Sequence, residues 1–214
     1  MAVDSLDPKR TCLLFFDTSN LFVNGPTLDP ANRTPQVVTA VANWRRLLAA
    51  GRELGMMVAY AHTAYRPDGA NYYRRMTDKD LGGNPVPEVG ARLPISRSIM
   101  GTREVQVVDE ITPAAEDYMF WKPRWNPFHQ TSFELSLRLR GIDTLVINGG
   151  STEIGIAATA YAAHSLDFDC VFVADGCTSG HQDCHDLLMG SVFPRIGRVR
   201  TADQVLAMLR AGQS

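Results

Sequence analysis

The run Thr11-Cys12-Leu13-Leu14-Phe15-Phe16-Asp17 is apolar without a break until it meets a carboxylate. Such a run fits a strand covered on both faces, and strands of that kind belong to parallel sheets packed between helices. The chain then repeats the unit. Asn24-Gly25-Pro26 and Asp29-Pro30 mark a loop, Val37, Val38, Val41, Leu47 and Leu48 recur at helical spacing up to Gly51 or Gly55, and Met56 to Ala61 is the next strand. Tyr118 to Trp121, Thr144 to Asn148 and Cys170 to Ala174 read as further strands, with helices near Gln130 to Arg140 and Glu153 to Ser165. A last helix pair, around His181 to Ser191 and Ala202 to Leu209, brackets a short strand at Arg198 to Thr201. The alternation predicts an α/β fold, a three-layer Rossmann-like parallel sheet with helices on both faces. Residues 66 to 104 depart from it, because Pro67, Gly69, Gly82, Gly83, Pro85, Pro87, Gly90 and Pro94 interrupt any long element. A stretch of this kind inside a compact domain is usually functional, and it is read as an excursion over the active-site end of the sheet. No repeat or domain boundary shows in the 214 residues, so 1–214 is read as one domain.

Composition narrows the partners. With 21 Lys+Arg against 23 Asp+Glu the net charge is −2, without the basic excess that nucleic-acid phosphates call for. No apolar run approaches the roughly 20 residues of a membrane helix. Met1 to Thr11 carries Asp4, Asp7, Lys9 and Arg10 with no apolar core. That does not read as a secretory signal, and a cytoplasmic protein acting on a small molecule is expected. Cys12, Cys170, Cys177 and Cys184 lack the CxxC spacing of a zinc site and read as small buried hydrophobes, with Cys177 held open as a reactive thiol.

In a parallel α/β sheet ligands bind beyond the carboxyl ends of the strands. Here the strands end in Asp17, in His62-Thr63, in Lys122, and in Asn148-Gly149-Gly150-Ser151-Thr152-Glu153. Asp17 and Lys122 facing one pocket would form a charge pair able to move a proton. Spacing alone equally allows Asp17 as a turn cap and Lys122 as a solvated strand end. From Gly149 to Ala160 small residues let backbone approach a ligand, and the start of the following helix suits an anion or oxyanion. Gly150, Ser151 and Thr152 are therefore candidate substrate contacts. Tyr65 and Arg66 follow the second strand at the pocket rim, where Arg66, Arg74 or Arg75 could fork a substrate carboxylate. The alternative for at least two of the three arginines is a solvated loop. Phe22 and Trp125 could line an aromatic wall, or belong to the core. His181 and His185 stand at i, i+4 without the Glu of an HExxH motif and read as surface histidines on a late helix. No metal and no cofactor is expected.

Four segments in order carry a family resemblance. They are Asp17-Thr18-Ser19-Asn20-Leu21-Phe22, Gly101-Thr102 with Val107-Val108-Asp109-Glu110-Ile111-Thr112-Pro113, Lys122-Pro123-Arg124-Trp125-Asn126-Pro127-Phe128, and Gly141-Ile142-Asp143-Thr144-Leu145-Val146. Over nearly its whole length the chain resembles the isochorismatase-like hydrolases, also called the cysteine hydrolase superfamily. Most members are similar in placing a nucleophilic cysteine after a Thr-Asp/Glu-x element, in a triad with Asp and Lys. Here Thr152-Glu153-Ile154 is followed by Gly155, which offers no nucleophile. Isochorismatases proper share a glycine there. That resemblance implies that Asp17 protonates the vinyl carbon of an enol ether, that water adds to the resulting cation, that Lys122 holds the carboxylate and the charge, and that Gly155 leaves space for the substrate. Gly150-Ser151 falls where members form a cis peptide that aims amides at the oxyanion. The resemblance also implies a homo-oligomer, a dimer or tetramer. Two rivals stay open: Asp17 as base on a water attacking an amide or cyclic imide, and a binding protein that kept the fold without turnover.

Overall fold

The computed structural model describes residues 4–72 and 98–213, so Arg74, Arg75 and the central part of the 66–104 excursion lie outside the described residues. Six strands form one sheet: β1 Thr11–Phe16, β2 Met57–Thr63, β3 Tyr118–Lys122, β4 Thr144–Gly150, β5 Asp169–Thr178 and β6 Arg198–Arg200. Their spatial order is β3-β2-β1-β4-β5-β6 and every pairing is parallel. β1 is therefore central and has all six residues buried. Its continuous apolar run is what a strand with a helix layer on each side requires.

Side chains alternate across the sheet and sort into two cores. Leu13, Phe15, Val58, Tyr60, Val146, Val171 and Val173 face helices α2 (Pro35–Glu53) and α6 (Ala202–Ala211). Cys12, Leu14, Phe16, Ala59, Ala61, Leu145, Ile147 and Phe172 face α3 (Phe133–Leu139), α4 (Ala157–Ser165) and the segment around Met189 and Phe193. α2 begins as its sequence directs: Thr34 Oγ1 accepts the Val37 amide at 3.3 Å and Pro35 opens the first turn. Gly55, at φ 64°, lets the chain turn back into β2. Trp44 on α2 donates its ring N–H to the Gly176 carbonyl at 2.7 Å, pinning the longest helix to the far end of β5.

Several details differ from expectation. α3 starts at Phe133 and not near Gln130, since Gln130 has a positive φ of 54° that a helix interior does not admit. The segments predicted as helices over 153–165 and 181–191 each include a π-helical turn, at Thr152–Ile156 and Leu188–Val192. β5 runs on to Thr178, four residues beyond Ala174, through an irregular register opposite Ile147 and Gly149. One short element not predicted also forms, α1 (Asn20–Asn24) soon after β1, and α5 (Gln182–Leu187) is the regular part of the predicted late helix. Among the described residues no helix is long and apolar enough to cross a membrane.

Candidate active site

The carboxyl end of β1 is where the chain leaves the sheet, and Asp17 makes the turn at φ 48°, a left-handed conformation that Asp tolerates better than most side chains. Its amide still bonds the Ala61 carbonyl at 3.0 Å, and its carboxylate folds across β2 toward β3. Thr63 and Lys122 are register partners on those two strands. Three donors converge on the carboxylate. The Thr63 amide donates to Oδ1 at 2.6 Å, and Oδ2 accepts the Thr63 hydroxyl at 3.1 Å and Lys122 Nζ at 2.8 Å. Lys122 also donates to Thr63 Oγ1 at 2.8 Å, and its ammonium lies over the Phe16 ring, 4.1 Å from the centroid.

These contacts account for all three N–H directions of Lys122. The side chain is 1% exposed and that of Asp17 is 11% exposed. The reading of Lys122 as a solvated strand end is thereby overturned. Its ammonium is spent on Asp17, Thr63 and an aromatic face, out of reach from the surface. Burial lowers the pKa of Lys122 from the usual lysine value, and the charge and hydrogen bond of Asp17 oppose that shift. On Asp17 both lone pairs of Oδ2 are taken, while among the described residues Oδ1 keeps one free beyond the Thr63 amide.

The exit of β4 forms the neighbouring wall. Gly149 sits at φ 115°, and a Cβ there would lie 1.9 Å from the Phe16 carbonyl oxygen, so only glycine allows β1 and β4 to approach. The Gly150–Ser151 peptide is cis, as the resemblance implies. Ser151 Oγ, Glu153 Oε2 and both amide atoms of Asn148 are buried and have no hydrogen-bond partner among the described residues. Polar atoms left in that state along one strand exit call for an explanation by function or bound solvent.

Other sequence-derived candidates fall elsewhere. Thr152 does not face the site. Its hydroxyl donates to the Thr178 carbonyl at 3.0 Å, so its lone pair is what meets His185 Nδ1 at 2.9 Å, and the pair ties the helix start to the end of β5. His185 is therefore buried and not a surface histidine, while His181 is exposed. Burial lowers the His185 pKa. Tyr65 turns inward, edge-on to Tyr72 with ring centroids 4.6 Å apart, and is buried instead of lining a rim. The Arg66 side chain is 59% exposed and forks onto Asp68 two residues away, the solvated-loop alternative. Phe22 and Trp125 are 51% and 49% exposed, and no ring contact joins them. Cys177 is buried with its thiol on the Ile147 carbonyl, and burial pushes its pKa far above the thiol range. A group so held is not a nucleophile.

Gly155 is buried at the start of the helix after β4, but it leaves no open space. A Cβ there would meet Cε1 and Cζ of Phe16 at 2.1 and 2.4 Å, so the ring already fills the position. Sequence reasoning missed Phe16 and Thr63. Thr63 was visible as a strand-end residue, but its role depends on β2 lying between β1 and β3, an order no local pattern encodes.

Comparison with known proteins agrees with this geometry. The isochorismatase domain profile matches residues 11–204. The uncharacterized isochorismatase family protein YecD of Escherichia coli O157:H7 is 41% identical over 207 residues, covering 95% of this chain and 98% of that one. The ureidoacrylate amidohydrolase RutB of Methylobacterium radiotolerans is 26% identical over 209 residues, covering 91% of this chain and 78% of that one. Among solved structures, an isochorismatase family protein of Burkholderia thailandensis superposes with a TM-score of 0.79 at 28% identity, covering 98% of this chain and all of the other. With its parallel sheet and these matches over almost its full length, the chain belongs to the isochorismatase family of hydrolases.

Proposed function

We propose that the protein hydrolyses a small carboxylated metabolite by proton transfer at Asp17 and addition of water, with no covalent bond between protein and substrate. An enol ether is the bond that best fits the glycine at position 155. The observation that carries the reading is the coupled pair. Among the described residues Asp17 keeps one unused lone pair, on Oδ1, and 2.8 Å from its other oxygen stands the buried ammonium of Lys122. A proton held at the free position of Oδ1 passes to the vinyl carbon, which must lie within about 3 Å, while the Lys122 charge beside Oδ2 stabilises the carboxylate left behind. The π electrons form the new C–H bond and leave an oxocarbenium ion. Water adds to it, the proton that water sheds restores the pair, and the hemiketal collapses to an alcohol and a ketone. Ser151 Oγ, buried beside the cis peptide with no hydrogen-bond partner among the described residues, is a polar group available to a substrate oxygen.

A second reading is favoured by one observation, the similarity to an enzyme named as an amidohydrolase. Here the free lone pair of Oδ1 takes the proton of a water attacking an amide or cyclic imide carbonyl, then hands it to the leaving nitrogen.

Purified protein and its Asp17→Asn variant would be assayed on isochorismate for pyruvate release, beside a panel of small amides and cyclic imides. Pyruvate release that the variant lacks supports the first reading. Turnover of an amide with silence on isochorismate replaces it with the second. A variant as active as the parent overturns the part of Asp17 in both readings, whereas silence on every substrate overturns both and leaves a binding protein of this fold.

A further inference from the structure

Phe16 immediately precedes Asp17, and its ring is fully buried between two features of the site. Its edge points at Gly155. An added Cβ there would lie 2.1 Å from Cε1, 2.4 Å from Cζ and 3.3 Å from Cδ1, where ordinary carbon contacts begin near 3.5 Å. Its face points at Lys122, whose ammonium stands 4.1 Å from the ring centroid and has its other two N–H groups on Asp17 and Thr63. The ring cannot swing out to solvent, because it belongs to the core packed against α3 and α4. One side chain thus meets both position 155, where the resemblance would place a cysteine, and the cation that holds the carboxylate.

We propose that Phe16 sets the class of nucleophile this site can use: its edge excludes any side chain from position 155, and its face positions the Lys122 ammonium against Asp17. Phe16 is a positioning residue, since it touches no reacting atom. Gly155 and Phe16 then form a coupled pair. A cysteine placed at 155 alone would collide with the ring and have no room to point toward the substrate, so loss of thiol chemistry is written twice in the chain. The aromatic face supplies a third partner to a buried ammonium without an oxygen that would compete for its proton. Only the part played by Asp17 and Lys122 in turnover rests on the function proposed above, and the contacts of Phe16 do not.

The test needs no substrate, so its failure is distinct from failure of the catalytic reading. Thermal unfolding would be compared for the parent, Gly155→Ala, Phe16→Leu and the double variant. Leucine stops short of the Cε1 and Cζ positions. Gly155→Ala alone should lower Tm by about 5 °C or more, the scale of overpacking in a chain of this size. In the presence of Phe16→Leu the same change should cost less than about 2 °C. Additive losses, or no loss in Gly155→Ala, would overturn the exclusion. The Lys122 ammonium would be followed by nitrogen-15 NMR across pH. Phe16→Leu should lower the pH at which it loses its proton by about one unit, as removal of a desolvated cation–π contact predicts. An unchanged titration overturns the positioning role. Should Phe16→Leu fail to fold, Phe16→Met, of similar volume and able to bend away from position 155, serves in both comparisons.

Discussion

Asp17 receives a backbone amide, a hydroxyl and an ammonium, and this triple clamp makes the carboxylate informative to mutate. Asp17→Asn places an amide N–H against groups that already donate, and removes the group that takes or gives the proton. Turnover should fall by about 10²- to 10⁴-fold, the usual share of a general acid or base. The same change strands the buried Lys122 charge, at a cost of about 3–5 kcal/mol in unfolding free energy. The double variant Asp17→Asn/Lys122→Met should recover most of that stability while staying inactive, a separation that denaturation curves read beside the assay. Thr63 gives a finer probe. Thr63→Val keeps the amide bond to Oδ1 and deletes the hydroxyl shared by Asp17 and Lys122, so turnover should drop by about 10- to 100-fold with little loss of structure. Thr63→Ser should restore it. Activity equal to the parent in Thr63→Val would show that the hydroxyl plays no part in holding the pair.

At the scale of elements, two small changes separate local energetics from site construction. α6 opens with a reciprocal cap, Gln204 N–H to Thr201 Oγ1 at 3.3 Å and Thr201 N–H to the Gln204 side chain at 2.9 Å. Thr201→Ala should cost about 1 kcal/mol and leave activity intact, because α6 packs on the face of the sheet away from Gly155. Gly149→Ala sets a Cβ against rigid backbone at a positive φ, and should lower both stability and turnover together. If Gly149→Ala were as stable and active as the parent, the close β1–β4 approach would not be what builds this end of the site. Strands, helices and the Asp17–Lys122 pairing were legible because each follows from local pattern plus the rule that sites lie at carboxyl strand ends. Contacts across the sheet were not. Tyr65 packing inward, Thr152 turning to His185 and Phe16 filling the place beside Gly155 depend on which strands are neighbours and on where rings point. Periodicity carries neither. Arg66 stands in the solvated-loop arrangement because a carboxylate, Asp68, lies two residues away along the same loop.

For the whole molecule, pH should act through buried histidine before it acts through carboxylates. His62 is enclosed, with Nε2 on the Thr18 hydroxyl at 3.0 Å and Nδ1 near the Val105 carbonyl. Burial lowers its pKa from 6.5 to about 4, against the pull of Asp17. The unfolded chain takes up this proton below about 6.5 and the folded chain only below about 4, so stability present above pH 6.5 is lost progressively across that window. The loss reaches roughly 3 kcal/mol, and His185, lowered in the same direction, adds to it. Glu110, held below the usual carboxylate range by its hydrogen bonds to Arg33, extends the decline at lower pH. Urea midpoints between pH 7 and 4.5 would test this, with a flatter slope expected in His62→Gln. A slope that survives the substitution would assign the proton uptake elsewhere.

β3 is five residues long, among the described residues it is bonded to the rest of the sheet through β2 alone, and it ends in Lys122. Edge strands exchange their amide hydrogens through local opening, well before the centre of a sheet does. The ammonium that holds Asp17 therefore rides on the margin of the sheet, while Asp17 itself rides on the best protected strand. On warming, the two should part company first. Catalytic power is then expected to fade several degrees below the cooperative loss of circular dichroism, in step with the release of β3 amides to deuterium, and to return on cooling. Loss of activity coincident with global unfolding would mean that the margin is held as firmly as the middle.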